Sequence, residues 1–236
     1  LPDGVLVHLP GGPETGRELV ACEDVRLVGH IGSSDAGEAV RRGCAERGAL
    51  SITENGGNDP LVVDADVDPR WAAGQAALGA FTNAGQLCSS VERIYVHRDV
   101  AEAFVADLVR EAEALVVGDP LSSGSTLGPL VDSRAVSSVD RQVREALERG
   151  AEVRTGAQGV ADVPHGYAPT VLTDCTDDML VMSEETFGPV APICVVDSWD
   201  DGLKRAAAGA SGLGATVLTR SHGHAMAAVE ALDVGG

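Results

Sequence analysis

Short runs of aliphatic and β-branched residues alternate along this chain with stretches of helical spacing, and no feature constrains the fold more. Strand and helix patterns interleaved at this pace call for βαβ units, in which helices cover the faces of a mostly parallel sheet. Strands are expected at 5–9 (VLVHL), 25–29, 49–53, 61–63, 93–97, 168–172, 190–196 and 215–219. Helices are expected over 14–21, over 32–48 with serines at its start and Gly48 at its end, and over 69–81. Asp99 is expected to cap a helix in which Val100, Phe104, Leu108, Ala112 and Leu115 share a face. Val136, Val139, Val143 and Leu147 repeat that pattern over 133–149, before Gly150, and further helices are expected near 200–209 and 222–232. The fold class is α/β, with a seam near residue 56.

Composition narrows the function classes. With 17 Lys and Arg against 36 Asp and Glu, the net charge of −19 opposes attraction to phosphate backbones or anionic lipid, so neither nucleic acid nor a membrane is expected as a partner. The 236 residues are 44% hydrophobic, ample for a packed core, yet no apolar run approaches the roughly 20 residues that span a bilayer. Cysteines at 22, 44, 88, 175 and 194 are odd in number and form no CxxC pair, so no disulfide framework, no metal site and a cytoplasmic setting are expected. The chain starts at Leu1 and ends in VEALDVGG, and is read as a partial one lacking N-terminal and C-terminal segments.

Four fragments can carry chemistry. TENGGNDP (53–60) puts Glu54 at a strand end beside two glycines, where it serves either as a general base or as a solvated turn carboxylate. GSSDAG (32–37) opens a helix after a strand, so its free amides either hold a phosphate or are capped by serine. In FTNAGQLCSS (81–90), Cys88 is either a nucleophile or a packed thiol, and no histidine flanks it. In SEETFGPVAPI (183–193), adjacent acids point apart, leaving Glu184 to solvent while Glu185 and Phe187 share a face suited to a ribose and a flat heterocycle. The six histidines are scattered, and His222 and His224 are too close to ligate from one helix face.

Taken in order, these fragments resemble the signature segments of the NAD(P)-dependent aldehyde dehydrogenase superfamily. Glu54 and Cys88 lie 34 positions apart, and Cys88 and Glu185 lie 97 apart, separations similar to those of family members. The resemblance implies an aldehyde dehydrogenase-like fold: residues 1–56 as the later part of a Rossmann-like NAD(P)-binding domain, and 57–236 as an α/β catalytic domain. It implies that Cys88 attacks an aldehyde and passes through a thiohemiacetal and a thioester, and that Glu54 activates the hydrolytic water. Gly32, Ser33 and Gly37 at the helix start, Asn55 and Gly56 of the turn, and Glu185 and Phe187 would meet NAD or NADP. The complete protein would be a homodimer or homotetramer acting on a small aldehyde.

The chain departs from the family pattern at Asn55 and Asn58, where Leu and Lys are common, and at GHIGS (29–33) in place of FTGS. A contrasting reading is a truncated or non-catalytic relative that serves as a binding or structural module.

Overall fold

The computed structural model describes residues 2–236, and the chain divides into two compact units, Leu1–Gly56 and Gly57–Gly236. The first unit carries α1 (Pro13–Ala21), β1 (Leu27–Ile31), α2 (Ser34–Glu46) and β2 (Leu50–Glu54). Strands β1 and β2 run parallel, with Leu27 opposite Leu50 and Ile31 opposite Glu54. Ser33 caps α2 by accepting the Ala36 amide, and Gly48, at φ 74°, lets the chain leave the helix in a conformation few other residues adopt. Residues 5–9, expected as a strand, form none. Val5, Leu6, Val7 and Leu9 are exposed, and without a partner strand an apolar run has no ladder to join.

The second unit is built on a six-stranded sheet in the order β5-β6-β7-β4-β3-β8. Its strands are β3 (Asp59–Val63), β4 (Val91–His97), β5 (Glu152–Thr155), β6 (Thr170–Thr173), β7 (Val190–Val196) and β8 (Thr216–Leu218). All neighbours are parallel except β5 and β6. The edge strand β5 escapes sequence reading because EVRT offers one apolar residue and no buried position.

Alternation along the central strands sorts the core into two layers. Leu61, Val63, Ile94, Val96 and Ile193 pack against α3 (Pro69–Phe81) and α4 (Arg98–Glu113). Val62, Tyr95, Leu172 and Val196 pack with residues of α5 (Ser133–Glu148), α6 (Leu180–Ser183), α7 (Trp199–Ala207) and α8 (His222–Ala231). Because both faces are covered, β3 and β6 are buried at every position, so their apolar residues, Leu61–Val63 and Val171–Leu172, stand side by side rather than alternating with exposed polar ones. The α4 stripe lies as expected, with Phe104, Leu108 and Ala112 buried and Val100 and Leu115 partly so. Its cap differs: β4 runs into α4 with no intervening loop, so His97, the last strand residue, accepts the Asp99 amide and Asp99 falls in the first turn.

Among the described residues, no helix is long and apolar enough to cross a membrane, and no group of three or more His, Cys, Asp or Glu is placed to hold a metal. All five cysteines are free.

Candidate active site

Three loops of the second unit converge at the ends of β3, β4 and β7. The first holds Cys88. Helix α3 ends at Phe81, and the chain turns sharply through Asn83, Ala84 and Gly85, with φ of 54°, 58° and 71°. Three successive left-handed residues, two of them not glycine, store local strain that the surroundings must hold. Gln86 supplies part of that hold: its side-chain amide donates to Asn83 O at 3.0 Å and Pro129 O at 3.3 Å, and its Oε1 accepts the Val131 amide at 2.8 Å. Ser90 Oγ donates to Gly85 O at 3.1 Å and closes the turn on its other side. Cys88 emerges solvent-exposed, and among the described residues its backbone amide donates to no acceptor.

The second loop is the GGNDP turn. Gly57 is buried, and a Cβ there would meet the carbonyl oxygen of Cys88, so only glycine lets these two backbones approach. Asn58 is buried beside it. The Asn58 amide group donates to Glu92 Oε2 at 3.2 Å and to Glu184 O at 3.1 Å, while Asn58 O accepts Arg93 Nε at 2.8 Å. Asp59 accepts the Gly214 amide at 3.2 Å, and burial pushes its carboxyl up to about 6 against that bond and the Arg93 charge.

The third loop is EETFGP. Glu184 lies on the surface and pairs with Arg141, matching the expectation of a solvent-facing side chain. Glu185 is half-buried, with Oε1 accepting the Gly57 amide at 3.1 Å. Burial raises its pKa, with the Gly57 amide opposing. Among the described residues Oε2 has no partner, so one oxygen of this carboxylate is left for a ligand hydroxyl. Phe187 adopts φ 48° and keeps 39% of its surface exposed, an open ring face two positions along. A ribose diol and a flat ring fit this donor set. Gly85 meets the loop from below: a Cβ there would strike the carbonyl of Gly188.

The remaining candidates belong to the first unit. Glu54 ends β2 exposed, its carbonyl accepting the Gly32 amide at 3.1 Å. Ser33 Oγ is engaged as the α2 cap at 3.4 Å from the Ala36 nitrogen. Gly37 is buried in α2 where a Cβ would collide with the Asn55 side chain, whose Oδ1 is buried with no partner among the described residues. Gly56 ends that unit.

Sequence reasoning missed Glu92, Gln86 and Gln142. Glu92 is 3% exposed, and its Oε1 accepts the Thr186 amide at 3.0 Å and the Phe187 amide at 2.8 Å. Gln142 of α5 donates to Glu185 O at 3.0 Å and accepts from the Thr186 hydroxyl at 3.1 Å. The available signal was VERIYVH, where two adjacent charges interrupt an apolar strand. In a strand covered on both faces, such charges are buried and must be paired.

Comparison with known proteins matches residues 1–236 to "Aldehyde dehydrogenase family". Benzaldehyde dehydrogenase [NAD(+)] of Pseudomonas putida is 37% identical over 221 residues, covering 94% of this chain and 45% of that protein. Probable succinate-semialdehyde dehydrogenase [NADP(+)] of Sinorhizobium fredii is 34% identical over 236 residues, covering 99% and 48%. The crystal structure of lactaldehyde dehydrogenase from Escherichia coli superposes with a TM-score of 0.90 at 32% identity, covering 93% of this chain and 46% of that one. The chain thus spans about half the length of the curated relatives it matches.

Proposed function

Since the chain belongs to the aldehyde dehydrogenase family, we propose that the protein carrying it oxidises an aldehyde to a carboxylic acid with NAD or NADP, through a covalent adduct on Cys88. The observation that carries this reading is the turn at 83–88, which spends backbone strain to present an exposed thiol beside its own unengaged amide.

The Cys88 sulfur, as thiolate, attacks the carbonyl carbon; a C–S bond forms and the carbonyl π electrons move to oxygen. The Cys88 amide is placed to donate to that oxyanion. NAD or NADP, when bound, supplies the hydride acceptor, with Glu185 Oε2 available to the ribose and Phe187 to the ring. With the hydride passed to that acceptor, the C=O bond would be restored and the adduct would remain on Cys88 as a thioester. Glu54 takes a proton from water, whose oxygen attacks the acyl carbon; the C–S bond breaks and the thiolate returns. A carboxylate base gives this chemistry its hydrolytic outcome.

The relatives' names span an aromatic aldehyde and a semialdehyde.

The test is intact-mass measurement of the protein after mixing with a panel of small aldehydes and either cofactor. An acyl adduct mapping to Cys88, absent in Cys88→Ala, supports the reading. Full turnover by Cys88→Ala would sink it, and folded protein that binds neither NAD nor NADP at millimolar concentration would favour a non-catalytic module.

A further inference from the structure

Glu92 belongs to β4, yet its carboxylate spends its hydrogen bonds on another segment. Oε1 takes the Thr186 and Phe187 amides at 3.0 and 2.8 Å, and Oε2 takes Asn58 Nδ2 at 3.2 Å and shares the Thr186 amide at 3.0 Å. Asn58 in turn holds Glu184 O. A single buried side chain of β4 thus joins the turn before β3 to the loop that bears Glu185 and Phe187. That loop needs such a support: Phe187 sits at φ 48°, a conformation its backbone does not prefer. No helix or sheet ladder covers residues 184–188.

We propose that Glu92 is the positioning residue of the 184–188 loop, fixing through its contacts with the Thr186 and Phe187 amides the conformation in which Glu185 and Phe187 face a ligand. For the ligand's identity this rests on the NAD(P) reading above; for the loop it rests on geometry alone.

The protonation state of Glu92 gives the proposal a distinctive signature. Burial pushes its carboxyl up to about 7, against the pull of the Phe187 and Thr186 amides and Asn58, with the Glu185 charge adding to the rise. The other charged groups near it are Asp59 of β3, Arg93 of its own strand, which is turned to Asn58 O and Ala206 O, and Glu184, which is paired with Arg141 of α5. A carboxyl whose closed-state pKa is raised binds its proton more tightly when the loop is closed. Closure is therefore most favoured below the open-state value of about 4.5 and is weakened progressively as pH rises from there through about 7. Glutamine keeps an acceptor oxygen for the Thr186 and Phe187 amides and does not titrate, so it should remove that dependence, while its amide nitrogen cannot accept from Asn58 Nδ2.

The experiment is hydrogen–deuterium exchange of the cofactor-free protein at pH 6 and pH 8, corrected for intrinsic rates, in wild type, Glu92→Gln and Glu92→Ala. Wild-type protection of the Thr186 and Phe187 amides should fall roughly fivefold to tenfold between the two pH values, the span that one titration at pH 7 allows. Glu92→Gln should show the same protection at both pH values. Glu92→Ala should lose about tenfold at both while the β4 and β7 amides stay protected, as expected of a local opening. Unchanged loop protection in Glu92→Ala, a wild-type slope in Glu92→Gln, or equal losses across β4 and β7 would each overturn the proposal. With substrate, Glu92→Ala should raise the KM for NAD or NADP about tenfold with kcat nearly kept, the mark of lost binding rather than lost chemistry. Should the wild type oxidise no aldehyde, the NAD(P) reading falls, and the exchange result still decides the role of Glu92.

Discussion

The carbonyl oxygen of Cys88 occupies the space that a Cβ on Gly57 would need. The segment entering β3 at Gly57 and the turn bearing the thiol therefore touch through backbone, and the same Gly57 amide holds Glu185 Oε1 at 3.1 Å. One glycine sets the spacing of two loops that the sequence places far apart.

Gly57→Ala follows from that contact. A methyl group forced against a backbone carbonyl shifts one loop or the other, and overpacking of this kind costs about 1–3 kcal/mol. The variant should unfold at lower urea with an unchanged m-value, and its Cys88 should alkylate with iodoacetamide at a rate at least several-fold different from wild type. Wild-type stability together with a wild-type alkylation rate would show that the two backbones are free to separate.

Glu54→Gln separates the two halves of the proposed reaction. Removing the base leaves the attack by Cys88 intact and slows water, so a rapid burst of reduced cofactor should persist while steady-state turnover falls about 10²-fold or more, the usual contribution of a general base. Stopped-flow absorbance, with intact mass to catch the thioester, reads both. Loss of the burst along with turnover would move Glu54 out of the hydrolytic step.

Gln86→Ala tests how the strained turn is held. The side chain bonds Asn83 O within the turn and ties 83–88 to Pro129 and Val131 with one hydrogen bond each, and the substitution leaves the Val131 amide without its acceptor. The expected outcome is a kcat at least tenfold lower, with a stability loss of only about 1–2 kcal/mol, because the turn relaxes from its left-handed conformation without disturbing the sheet. Equal activity would mean that the 83–85 conformation holds itself.

Much of this architecture is legible in the sequence because two-sided burial and helical spacing are local patterns. The apolar runs at 61–63 and 190–196 and the stripes on α4 and α5 carry their own periodicity. The failures have the complementary cause. VLVHL has strand composition but no neighbour to pair with, and EVRT has a neighbour but no strand-like pattern. At the candidate site, Cys88 and Glu185 stand in fragments with recognisable spacing. Glu92 and Gln142 act on partners 94 and 44 positions away, and no pattern local to either residue announces such a bond.

Asp64 carries a pH prediction outside the candidate site. It follows β3 and accepts from the Thr219 hydroxyl at 2.7 Å and meets His224 Nδ1 at 2.6 Å, while the His224 ring stacks on Trp199 with centroids 4.9 Å apart. Burial acts to raise the Asp64 carboxyl, but Thr219, His224 and the Ala65 amide together hold it below its ordinary value. A carboxyl lowered in the folded state contributes stability above its unfolded pKa of about 4 and loses it as pH falls through the folded value. Wild type should therefore lose melting temperature more steeply than Asp64→Asn between pH 6 and pH 3. At pH 6 the variant should be less stable by about 1–2 kcal/mol, the cost of the weakened hydrogen bonds that fasten α8 to the sheet. Parallel acid profiles for the two proteins, read by thermal melts, would mean that this cluster takes no part in acid unfolding.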